Sequence, residues 1–108
     1  EYEQAQQYYL QSLDYKIEAG DYYSQAVTYN QLGLLAEVQE NYSEAAIRFI
    51  QALSIFVEFE DNYKFATALN NLKRLHNTTK DDTILNNIVT ALNTTQEEVL
   101  NLFAQLED

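Results

Sequence analysis

A chain of 108 residues with 46% apolar content can bury one compact core, and its 17 acidic against 6 basic residues leave a net charge of −11. Such a chain repels phosphate, which argues against nucleic acid and anionic lipid as partners. The absence of cysteine removes a disulfide framework, a thiolate metal site and a cysteine nucleophile.

With no proline, only two glycines and many Ala, Leu, Gln and Glu, the chain reads as almost wholly helical. From Tyr2 to Ala19, apolar residues three or four apart (Tyr2, Ala5, Tyr9, Leu13, Ile17) define a first helix. Gly20 suits a left-handed helix end, and Asp21 caps a second helix over about Tyr22 to Gln39, striped by Ala26, Tyr29, Leu32, Gly33 and Ala36. Asn41 and Glu44 have capping-box spacing at the start of a third helix, about Tyr42 to Glu60, with Ala45, Phe49, Ala52, Leu53 and Phe56 inside. Asp61 caps a fourth helix expected over Asn62 to Asn77. A polar turn follows over Asn77–Asp82, then a short helix from Thr83 to Leu92. Thr94 and Thr95, each three before a glutamate, open a last helix striped by Val99, Leu102, Phe103 and Leu106.

The chain repeats itself with a period of 40 residues. Tyr2/Tyr42, Ala5/Ala45, Gln11/Gln51, Leu13/Leu53, Glu18/Glu58, Asp21/Asp61, Tyr23/Tyr63, Ala26/Ala66, Asn30/Asn70, Leu32/Leu72 and Leu35/Leu75 all match in register. Fixed repetition of this length signals stacked units, not a single knot of chain. The period fails after His76, where residues 78–108 read as a closing helical hairpin on an array formed by residues 1–77. The chain starts without a methionine and inside the second half of a unit, so it reads as a piece of a longer protein.

At Tyr29, Leu32, Gly33 and Ala36, followed by Ala45, Phe49 and Ala52, the chain resembles the tetratricopeptide repeat family in its long form of about forty residues per helix pair. The half-unit at the start keeps Ala5 and Tyr9. The half-unit after Asp61 departs, with Lys73 where Gly or Ala is usual and His76 where an apolar residue is usual. The resemblance implies an all-α array of antiparallel helix hairpins, an α-solenoid fragment, whose first-of-pair helices line a concave groove for an extended peptide or partner helix. Repeats of this length resemble those attached to bacterial signalling and effector proteins.

Carried onto this chain, that resemblance gives a partner-binding groove of Val27, Asn30, Gln31, Leu34 and Glu37 from one unit and Thr67, Asn70, Asn71 and Arg74 from the next. Asn30 and Asn70 lie one period apart. A side-chain amide both donates and accepts, so stacked asparagines can hold a peptide backbone without reading its side chains; the alternative is that Asn30 and Asn70 satisfy neighbouring backbone or face water. Lys64, Lys73, Arg74 and Lys80 concentrate positive charge, with Arg74 suited to bidentate contact with a partner's carboxylate. Against this stands a solvated helix face balanced by Glu58, Glu60 and Asp61.

His76 is the only histidine and reads as a packed or groove-edge residue, since metal or triad chemistry would need further ligands. Asp81-Asp82 and Glu97-Glu98 are adjacent pairs in first helical turns, where the helix dipole favours negative charge and adjacent side chains diverge. No phosphate loop, nucleophile elbow or zinc signature occurs. Sequons at Asn41, Asn77 and Asn93 match the chance expectation for a chain rich in Asn and Thr.

The expectation is therefore a cytoplasmic protein–protein interaction module, not an enzyme, without cofactor or metal. Its partner is another protein or peptide, and neither nucleic acid nor membrane. The alternative is a self-association module, forming a homodimer through exposed repeat faces around Tyr2, Ala5 and Tyr9.

Overall fold

The structure is a computed structural model that describes residues 1–106. Residues 107 and 108, part of the expected closing segment, lie outside the described residues. Six helices follow one another: α1 (Tyr2–Glu18), α2 (Tyr22–Val38), α3 (Tyr42–Glu58), α4 (Asn62–Thr79), α5 (Asp82–Leu92) and α6 (Gln96–Gln105). Among the described residues there is no strand.

Three successive corners are built alike. Gly20, Glu40 and Glu60, spaced twenty apart, adopt φ of 73°, 61° and 55°. After each, the next backbone N–H closes on a carbonyl five residues back: Asp21 on Lys16 at 2.9 Å, Asn41 on Ala36 at 2.8 Å, Asp61 on Phe56 at 3.1 Å. This left-handed closure satisfies carbonyls that the helix end leaves bare. Asp21, Asn41 and Asp61 then accept from the backbone N–H of Ser24, Glu44 and Lys64, starting the next helix at once. So short a connection forces consecutive helices to run antiparallel.

The α2–α3 pair is the most intimate. Aromatic residues at the start of α2 meet those at the end of α3, with Tyr23 ring centroids 5.7 Å from Phe56 and 5.3 Å from Phe59. In mid-helix Gly33 lies under the Phe49 ring, so close that a Cβ there would stand 2.5 Å from two ring carbons. Ala45, Phe49, Ala52 and Leu53 are fully buried. α3 is the central element, contacting α2, α4 and α5. The core continues through Leu69, Leu72 and Leu75 of α4, Ile88 of α5 and Val99 of α6. Each such apolar side chain contributes about 1.5–3 kcal/mol on leaving water. α1 buries one side chain, Leu13, and is the least covered helix.

Three local expectations are corrected. α4 continues to Thr79 through the expected polar turn and the expected boundary at residues 77/78. Thr78 donates its hydroxyl to the Arg74 carbonyl at 3.0 Å, so its side chain is satisfied within the helix and caps no turn. α5 begins at Asp82, capped by Asp81. Of the two capping boxes before α6, the one used is Thr95 with Glu98, at 3.1 Å.

Lys73 and His76, departures from the repeat pattern, both serve the closing hairpin. Lys73 Nζ donates to the Phe103 carbonyl at 3.0 Å, which also accepts from the Leu106 backbone N–H at 3.2 Å, so the lysine adds a cation at the C-terminal end of α6. His76 packs beside the Phe103 ring and bonds Asp82 at 3.0 Å, tying α4 to both α5 and α6.

Candidate binding groove

α2 and α4, the first helices of two successive pairs, lie side by side and are joined by three polar rungs. At one end the Tyr23 hydroxyl donates to Asp61 Oδ2. In the middle Asn71 Nδ2 donates to Asn30 Oδ1 at 3.0 Å. At the far end Arg74 grips Glu37 through two bonds of 2.9 and 2.6 Å. On α2 the rungs fall seven residues apart, two helical turns each, so they share one stripe.

The first rung is electrostatically set. The Tyr23 hydroxyl, seconded by the Lys64 backbone N–H, holds the Asp61 carboxyl below its usual range. Reciprocally, hydrogen bonding to Asp61, with partial desolvation, raises the Tyr23 phenol. At the third rung Glu37 favours the charged guanidinium of Arg74 and raises its pKa further. Arg74 remains 46% exposed while Glu37 is 17% exposed, so this pair is partly screened by solvent.

Between the first and second rungs lies an open trough of about 310 Å³. Val27 and Phe56 give it apolar surface; Asn30 and Gln31 line it from α2, Tyr63, Lys64 and Thr67 from α4. Tyr63 is 80% exposed, the most exposed large apolar side chain among the described residues.

Of the nine expected groove residues, Val27, Asn30, Gln31 and Thr67 meet in this trough. The other five are distributed differently. Leu34 lines a neighbouring trough against α1. Asn71 is buried and committed to Asn30, so it acts as a tie between helices. Asn70 is exposed and lies outside the lining. Hence Asn30 and Asn70 do not stack as a matched pair; the asparagine that Asn30 meets is Asn71. Arg74 and Glu37 neutralise each other across the end of the groove. The expected concentration of positive charge is dispersed as well: Lys73 is at α6, and Lys80 is the exposed left-handed cap of α4.

Phe56, Tyr63 and Lys64 are groove residues that pattern alone misses. Phe56 reads as core on its own helix. The signal for Tyr63 and Lys64 was their place just after the Asp61 cap, at the mouth of the second unit.

Among the described residues no three His, Cys, Asp or Glu side chains converge to hold a metal. Among the described residues no helix is long and apolar enough to cross a membrane. What the trough can do chemically is hydrogen-bond, through amide, hydroxyl and ammonium groups, around an apolar floor. No family model, curated protein or solved structure matches the chain.

Proposed function

We propose that this is a protein–protein interaction module of tetratricopeptide type, a cytoplasmic scaffold or regulatory segment that takes a peptide or helix into the α2–α4 trough. The observation that carries this reading is the trough itself. Apolar surface from Val27 and Phe56 sits between polar walls, and the helices lining it are already tied together. Preorganisation of that kind lets contacts count toward affinity instead of being spent on ordering the receptor. The net charge of −11 favours a basic partner through long-range attraction.

Peptides selected from a displayed random library against the chain supply the probe. Thr67→Trp fills the trough from an exposed position, and should weaken their binding at least about tenfold while the melting temperature stays within a few degrees. Undiminished binding to Thr67→Trp rules this reading out.

Exposure on α1 favours a second reading, self-association. Tyr2, Tyr8, Tyr15 and Ile17 are 52%, 68%, 75% and 50% exposed. Sedimentation that is independent of concentration would dismiss it.

A further inference from the structure

The repeat supplies an internal template for a surface that the α2–α4 groove does not use. In the complete unit, α2 rests on α3 through Gly33 against Phe49, with Ala45 and Ala52 beside it. One period earlier, Ala5, Tyr9 and Ser12 of α1 stand where Ala45, Phe49 and Ala52 stand on α3. They are only half-buried, whereas Ala45, Phe49 and Ala52 are fully buried. Ala5 and Tyr9 instead border a trough of about 210 Å³ completed by Gln31, Leu34, Leu35 and Val38 of α2.

The polar rungs repeat the argument independently. α4 receives α2 through Asp61 and Asn71, and their counterparts one period earlier are Asp21 and Gln31. Asp21 caps its helix through Oδ1 on the Ser24 N–H, as Asp61 does on Lys64. Among the described residues neither Asp21 nor Gln31 makes a hydrogen bond to another helix. Apolar seat and polar rungs thus belong to one interface, continued by a single translation from the α2–α3–α4 interface already formed.

We propose that the α1–α2 trough seats one helix of a partner protein, and that this helix has the build of α2. Its defining stripe is a tyrosine, an amide seven residues on, a Leu-Gly pair two and three residues after that, and a small residue three further. The glycine lets it close on Tyr9, the tyrosine reaches Asp21, and the amide meets Gln31. A second copy of this chain cannot supply it, because its own α2 is already buried against α3 with Gly33 under Phe49.

The test uses a synthetic helix with the sequence of residues 21–40, stapled on its solvent side, titrated into the 108-residue chain. Saturable binding is expected, with the Tyr9 ring resonances shifting. Val38→Glu, at a 59% exposed position, should weaken it at least about tenfold without altering the fold. A peptide carrying Gly33→Trp should not bind, and Thr67→Trp in the α2–α4 groove should leave binding unchanged, which separates this seat from that groove. The proposal is overturned by no binding up to about 1 mM, by equal binding to Val38→Glu, or by dimerisation of the chain alone that Val38→Glu abolishes.

Discussion

The α2–α3 contact at Gly33 gives the sharpest quantitative expectation. A methyl at Gly33 would stand 2.5 Å from Phe49 Cδ1 and Cε1 and 3.1 Å from Cζ. Relaxed carbon contacts lie at roughly 3.5–4.0 Å, so the shortfall is about 1 Å at two atoms. Phe49 is 0% exposed, walled in by the core, and its ring has no free space to enter. Either the helices part or the ring leaves its rotamer. Overpacking of this kind costs about 1–3 kcal/mol, and a double contact belongs at the upper end. Alanine returns about 1 kcal/mol through its better helix propensity. Gly33→Ala should therefore lose a net ~2 kcal/mol, lowering the melting temperature by about 8 °C at ~4 °C per kcal/mol. Thermal and urea unfolding followed by circular dichroism would read it. A double-mutant cycle sharpens the test. Phe49→Leu alone should cost about 1–1.5 kcal/mol, but in the Gly33→Ala background it should restore part of the loss, giving a coupling of about 1–2 kcal/mol. Gly33→Ala as stable as the parent, or additive effects in the cycle, would refute the close approach.

Tyr23→Phe should narrow the pH range of stability in a specific way. The native pKa of Asp61 is depressed, so its contribution is present above the ordinary carboxylate value of about 4 and lost as pH falls through the native one. The native pKa of Tyr23 is raised, so its contribution is present below about pH 10 and lost as pH rises through the native value. The stability gap between parent and Tyr23→Phe should then be widest near neutrality and close at both extremes; a gap that ignores pH contradicts the rung. Asn30→Ala strands the buried amide of Asn71 and should cost about 1–3 kcal/mol. Asn70→Ala, at the equivalent but exposed position, should stay within about 0.5 kcal/mol; equal losses in urea titration would contradict the pairing. Glu60→Gly removes a side chain from φ 55° and should raise the melting temperature by about 2 °C net of the entropy glycine adds to the unfolded chain, whereas a lower value would argue against the left-handed corner.

Local pattern carried most of the fold. The caps Asp21, Asn41 and Asp61 and the three-to-four residue stripes placed six helices nearly to the residue, because cap and stripe are properties of one helix and its ends. Corners were less legible. Glycine announced the turn at residue 20, yet Glu40 and Glu60 take the same left-handed shape, enforced by the closure onto Ala36 and Phe56. Least legible was the pairing between α2 and α4. Periodicity equates Asn30 with Asn70, but the lateral offset of neighbouring helices decides who touches whom, and it delivers Asn71 to Asn30 and Arg74 to Glu37. No single-helix pattern encodes that offset. Lys73 shows the same limit: it looks like a packing fault until α6 places the Phe103 carbonyl within its reach.

On the function proposed above, the two kinds of helix contact would divide the work of recognition. α2 and α3 are held by shape, through a glycine under a ring, and such an interface tolerates little movement. α2 and α4 are held by side-chain polar bonds, each worth little net energy but demanding in geometry, so they fix the width of the trough between them. The Glu37–Arg74 pair also spends both charges on each other. An incoming chain would therefore meet a mouth whose charges nearly balance, with Lys64 beside the Asp61 carboxylate, on a protein that is strongly acidic as a whole. Attraction from a distance and contact at the site are thereby separated. Salt should slow association of a basic ligand and leave its dissociation almost unchanged, since the off-rate depends on the apolar floor of Val27 and Phe56 and the polar wall groups.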